Sequence, residues 1–147
     1  MSKPIAVFGA TGAQGGPVVE ALPEANHPVR AIGHTESKLQ GLAKKGAETV
    51  ALDLADVDAL TKALQGVGGA FVHLPFIPVA EILEAQTNAI SEALVAADVP
   101  MTAVTLSGTA PTSPIGAVTL DTKATTKQIM QASKAPLVIL EPCCVSG

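Results

Sequence analysis

Residues 8–16 read Phe8-Gly9-Ala10-Thr11-Gly12-Ala13-Gln14-Gly15-Gly16, and their glycines recur in the pattern Gly-x-x-Gly-x-x-Gly. It follows the apolar run Ile5–Phe8 and precedes a segment in which Val18, Val19 and Leu22 have helical spacing. A strand, a glycine-rich turn and a helix in this order predict a phosphate-binding turn, because the free N–H groups at the start of the helix face it.

Each of the three spaced glycines has its own physical reason. Gly9 lets the chain leave the strand in a tight turn, Gly12 has no Cβ to block a pyrophosphate, and Gly15 lets the helix pack closely on the strand. We therefore predict that this turn binds the pyrophosphate of a dinucleotide. The turn residues assigned to it are Gly9, Thr11, Gly12, Ala13, Gln14 and Gly15.

Beyond the turn, short apolar runs alternate with helical patterns. The candidate strands are residues 5–8, 29–32, 49–52, 70–74, 103–106 and 137–140. Apolar residues with helical spacing mark four further segments: Leu39, Leu42 and Ala43; Val57, Leu60 and Leu64; Ile82, Leu83, Ala89, Ile90, Ala93 and Leu94; and Ile129, Met130 and Ala132. This alternation predicts one α/β domain over residues 1–147, a doubly wound parallel sheet of order 3-2-1-4-5-6 with helices on both faces.

Composition excludes several classes of protein. With 48% hydrophobic and 15% charged residues, the 147-residue chain is expected to fold as one domain. No apolar run approaches the roughly 20 residues of a membrane span, and the start lacks a signal peptide, which predicts a cytoplasmic location. A net charge of −4 without a basic cluster argues against nucleic acid. Cys143 and Cys144 are adjacent and fit no zinc spacing, so no metal site is predicted.

The glycine run GATGAQGG resembles the NmrA-like branch of the atypical short-chain dehydrogenases/reductases. Four further segments resemble that family in the same order: residues 29–32, Gly46-Ala47-Glu48 followed by Asp53-Leu54, Lys123-Ala124, and residues 137–142, where Glu141 replaces an arginine. Family members run to about twice a single-domain length. The resemblance therefore implies a dinucleotide-binding domain without the C-terminal substrate portion.

The residues after the second strand bear on the choice between NADP and NAD. An NAD site usually has an acid about 20 residues beyond the glycines, and Gly33-His34-Thr35 provides none. This favours NADP, as the resemblance also does, and leaves NAD as the alternative. His34 and Lys38 could donate to a 2′-phosphate, or be a solvated histidine and a helix-surface lysine. Arg30 fits either a phosphate contact or a sheet-end residue.

Other candidate site residues follow from the resemblance. It implies that Asp53, with Leu54, accepts a bond from the adenine amine; a turn or cap aspartate is the alternative. It also implies that Lys123 bonds the nicotinamide ribose and takes part in catalysis; an exposed lysine on the helix surface is the alternative. The chain has no Tyr, so a mechanism with a tyrosine acid is excluded.

Two further catalytic candidates lie near strand ends. Ser107 comes after the fifth strand, near the expected nicotinamide, although a turn serine fits the same position. His73 and Leu74 stand at the end of the fourth candidate strand, where the backbone would border the adenine ribose. His73 is also the best-placed imidazole for proton transfer, with a purely structural histidine as the alternative.

The sequence is compatible with two functions. One is an NADP-dependent reductase that transfers hydride to a small carbonyl or quinone substrate. The other is a regulatory module that senses the nucleotide and binds a partner protein without turnover. The uncharged strand at 137–140 should lie at the sheet edge, which predicts self-association into a homo-oligomer.

Overall fold

Six short strands form one parallel sheet in the order β3-β2-β1-β4-β5-β6. The structure is a computed structural model and describes residues 3–9, 28–34, 36–44, 46–73, 80–106 and 118–140. The strands are β1 (Ile5–Phe8), β2 (Val29–Gly33), β3 (Glu48–Ala51), β4 (Gly69–Val72), β5 (Thr102–Thr105) and β6 (Leu137–Leu140). The doubly wound sheet and its strand order are confirmed.

Three strands begin one residue earlier than their apolar runs predict. Glu48, Gly69 and Thr102 are not part of those runs, yet each pairs in register with a residue of a neighbouring strand, for instance Glu48 with Arg30 and Gly69 with Ile5. Backbone pairing needs no apolar side chain, so the neighbour's register rather than the local sequence decides where these strands start.

Helices connect the strands within the described part of the chain. They are α1 (Glu36–Ala43), α2 (Val57–Leu64), α3 (Ala80–Ala96) and α4 (Val118–Gln131). All four match predicted helical segments, whereas the segment around Val18 lies outside the described residues. Ile82, one of the apolar residues that mark α3, is 48% exposed, whereas Leu83, Ile90 and Leu94 of the same helix are buried.

Alternate residues of β1 enter two different cores. Ala6 and Phe8 of β1 belong to the larger cluster, with Leu60 and Leu64 of α2. Val7, between them, belongs to a smaller cluster on the other side of the sheet; its other buried members are Val29, Ala31 and Leu39. A parallel sheet covered on both faces requires apolar side chains at consecutive positions, as this strand has.

The strand order reverses between β1 and β4. The chain passes from β1 outwards to β2 and β3, then returns to place β4 on the other side of β1. In open parallel sheets the crevice beyond the carboxyl ends of the strands at such a point receives the ligand. The residues that follow β1 and β4 are therefore expected to border the ligand.

Candidate cofactor site

Gly9 and His73 lie side by side at the point where the strand order reverses. β1 and β4 are paired from Ile5↔Gly69 to Val7↔Phe71, so the residues that directly follow the two strands are level with each other. Gly9 has φ +71°, and a Cβ built on it would collide with the backbone carbonyl of His73. Gly9 thus has the left-handed conformation that a tight turn needs, and a glycine is needed there for two reasons.

The imidazole of His73 is half-buried, and burial lowers its pKa below the usual value of about 6.5. Desolvation penalises the charged form, so the side chain is neutral at pH 7. The site therefore holds an uncharged group with one donor and one acceptor next to the glycine turn. Such a group suits hydroxyl or amide partners better than a phosphate charge.

The end of β2 lies where contacts to a 2′-phosphate are predicted. The Gly33 carbonyl accepts a hydrogen bond of 3.0 Å from the backbone N–H of Leu52, which joins the ends of β2 and β3. His34 follows directly and is exposed, and Lys38 is exposed in the first turn of α1. Glu36, the first residue of α1, is exposed as well. This carboxylate, which follows the end of β2 by three positions, is not among the predicted site residues, and its charge would oppose a 2′-phosphate.

Asp53 shapes the turn that follows β3. Its Oδ1 atom accepts a hydrogen bond of 2.9 Å from the backbone N–H of Ala55, and its carbonyl accepts one of 3.0 Å from Asp56. The turn-aspartate interpretation is thus realised, and the exposed carboxylate keeps acceptor capacity for a ligand. Leu54 is buried in the larger core, so its backbone rather than its side chain would meet a cofactor.

Arg30 is a structural residue rather than a phosphate ligand. Its Nη1 donates to the carbonyls of Ala63 and Gln65 at 2.7 and 2.9 Å, and its Nε donates to Glu48 Oε2 at 3.1 Å. Arg30 is the second residue of β2 and so lies near the amino ends of the strands, opposite the crevice. The sheet-end alternative is correct, because the guanidinium satisfies carbonyls at the end of α2 that lack helical partners.

Several predicted site residues lie outside the described part of the chain. These are Thr11, Gly12, Ala13, Gln14, Gly15, Leu74 and Ser107. Lys123 lies within α4, but its side chain is outside the described part as well. Their assignments therefore stay predictions, while Gly9, His34, Asp53 and His73 lie one or two residues beyond the carboxyl ends of β1, β2, β3 and β4, and Lys38 lies in the first turn of α1.

Among the described residues, no three His, Cys, Asp and Glu side chains form a group that could hold a metal ion. None of the helices described is long and apolar enough to cross a membrane.

A sequence profile of the NmrA-like family matches residues 1–135. The chain belongs to the NmrA-like family. Its described fold is also similar to solved reductases. A Citrobacter sp. triphenylmethane reductase complexed with NADP(H) superposes with a TM-score of 0.79 at 26% identity, over 97% of this chain. An NADPH-dependent quinone oxidoreductase from Escherichia coli, complexed with NADPH, has a TM-score of 0.79 at 32% identity over 93% of this chain.

A curated relative points to the same class of protein. An NAD(P)H azoreductase from Xenophilus azovorans is 39% identical over 74 residues, which are 50% of this chain and 26% of that protein. The chain spans 50% and 48% of the two solved reductases. It therefore corresponds to about half the length of the solved NmrA-like proteins it resembles.

Proposed function

We propose that this NmrA-like chain is the NADP(H)-binding part of a reductase that acts on a small carbonyl, quinone or similar conjugated substrate. The observation that carries the proposal is the pair Gly9 and His73 at the reversal of strand order, where the first glycine of the GATGAQGG motif has the positive φ such a turn needs. The reductases with the same fold, solved with NADP(H) or NADPH, support the choice of cofactor.

The proposed cofactor contacts follow the order of the strand ends. The glycine turn would hold the pyrophosphate through its backbone N–H groups. His34 and Lys38 would contact the 2′-phosphate, and Asp53 the adenine amine. Lys123 and Ser107 stay candidates for the nicotinamide side. NADPH, when bound, supplies hydride from its nicotinamide C4 to the substrate.

The proton that accompanies hydride transfer needs a donor other than tyrosine, because the chain has no Tyr. His73 stays a candidate, although its lowered pKa means that only a minor fraction carries the extra proton at pH 7. Loss of the proton at higher pH would then reduce turnover. The alternative of a regulatory module gains no support from the three similar proteins above, all of which are named as reductases.

Calorimetric titration with NADPH and NADH tests the proposal. We expect tighter binding of NADPH, and we expect Lys38→Ala to reduce the preference for NADPH about tenfold, as loss of one charge-assisted phosphate contact would. Lys44→Ala is the matched control, because Lys44 is also exposed but lies beyond the opposite end of α1. Tighter binding of NADH would contradict the assignment of the cofactor.

Turnover is tested in the same samples. NADPH oxidation is followed with a quinone or an azo dye as acceptor, and consumption that depends on both protein and acceptor supports the reductase. NADPH binding without turnover by any such acceptor would restrict the proposal to cofactor binding by this chain. A cytoplasmic location stays a prediction.

Self-association through β6 is proposed as well. β6 is the last strand of the sheet, and Val138 and Leu140 are 46% and 44% exposed on one of its faces. We expect the sedimentation coefficient of the reduced protein to rise with concentration, and Val138→Lys to suppress that rise. Val95→Lys is the control, because Val95 of α3 is equally exposed, at 45%. A monomer over the whole concentration range would refute this interface.

A further inference from the structure

We propose that Gly9 is a positioning residue for His73, so that the ends of β1 and β4 form one packed unit in which position 9 must lack a side chain. The meaning of this unit for cofactor binding rests on the function proposed above. The packing itself is a property of the chain without cofactor and is tested as such.

The atoms around Gly9 carry this inference. The three heavy atoms nearest to a Cβ built on Gly9 all belong to His73: the carbonyl oxygen, the carbonyl carbon at 3.3 Å and the Cβ at 3.5 Å. Two of the three are backbone atoms, which cannot swing aside as the end of a flexible side chain does. A methyl group at position 9 therefore displaces the main chain of His73 and, with it, the base of the imidazole.

The two strands leave little room to absorb that displacement. Phe8 and Val72, which precede the two residues, are 1% and 0% exposed and lie in the larger core. A close-packed interior resists shifts of even a few tenths of an ångström. The strain is therefore expected to appear beyond the strands, at His73 and the crevice it borders.

Other glycines of the chain allow the effect of the contact with His73 to be separated from the effect of backbone strain. Gly46 and Gly66 also have positive φ, +95° and +77°, but a Cβ on either meets nothing within 4 Å. Gly33 ends β2 without a positive φ, and its Cβ would meet only the side chain of Leu39, at 3.3 Å. Alanine at 46 or 66 thus introduces backbone strain without a new contact. Alanine at 33 introduces a contact with a flexible side chain without that backbone strain.

The decisive measurement is a pH titration of the histidine ring protons by NMR without cofactor. The chain has only three histidines, so His→Gln variants assign the signals. In Gly9→Ala we expect the pKa of His73 to rise towards about 6.5, because its displacement opens the imidazole to water. Gly33→Ala should leave the titration of His73 unchanged. A folded Gly9→Ala protein with an unaltered His73 titration would overturn the proposal.

Thermal unfolding keeps the proposal testable if Gly9→Ala folds poorly. We expect Gly9→Ala to lower the Tm by clearly more than Gly46→Ala or Gly66→Ala, or to prevent folding where those two variants fold. Equal losses at the three positions would show that backbone strain alone explains the need for glycine, and would overturn the proposal. Since no cofactor is present, a failure of NADPH to bind the unsubstituted protein contradicts the proposed function and leaves this result standing.

Discussion

Replacement of Gly12 by valine is expected to weaken NADPH binding by about 100-fold, which corresponds to roughly 3 kcal/mol of binding free energy. The second glycine of the motif is the one whose missing Cβ lets the pyrophosphate approach the backbone, so a branched side chain there occupies the space of the phosphates. The prediction rests on the sequence motif, because Gly12 lies outside the described residues. Calorimetric titration of the variant with NADPH measures the loss.

A matched control separates the site from a general effect of replacing glycine. Gly41 is exposed in α1, and nothing lies within 4 Å of a Cβ built on it. Gly41→Val should therefore bind NADPH as the unsubstituted protein does, and circular dichroism should show both variants folded. If a folded Gly12→Val protein kept its affinity for NADPH, the turn would not be the pyrophosphate site.

The second large effect is expected at Arg30, on stability rather than on binding. Arg30→Met keeps the apolar stem but removes the donors to the carbonyls of Ala63 and Gln65. It removes one of the cations near the carboxyl end of α2, where Lys62 remains, and we expect a loss of about 3 kcal/mol in the free energy of unfolding. For a chain of this size the Tm falls by roughly 8 °C. Urea unfolding followed by circular dichroism provides the measurement.

Glu48→Gln is the control for the ion-pair part of that network. The Glu48 side chain is 58% exposed, against 16% for Arg30, so its salt bridge is screened by water and is worth less than about 1 kcal/mol. NADPH affinity should be unchanged in folded Arg30→Met, because Arg30 lies at the end of the sheet away from the crevice. Similar losses in the two variants would show that the carbonyl contacts contribute little.

The local sequence was sufficient to predict the parallel sheet. Apolar runs such as Leu137–Leu140 are too short for helices and rich in branched residues, and their alternation with helical spacing predicts a parallel sheet and its strand order. Gly9 was predicted to turn the chain at the end of β1, because it is the first glycine of the motif and directly follows the strand. These features depend on neighbours along the chain, which the sequence displays directly.

The partners of individual side chains were decided by tertiary structure. Arg30 contacts carbonyls 33 and 35 positions away, and no local pattern distinguishes such an arginine from a phosphate ligand. The register of β1 against β4 brings the His73 carbonyl onto Gly9 across more than sixty positions of the chain. The glycine motif and the strand order were thus determined by the sequence itself. The burial that keeps His73 neutral and the removal of Arg30 from the crevice arise only when distant strands pack together, because desolvation and hydrogen-bond partners are properties of the assembled core.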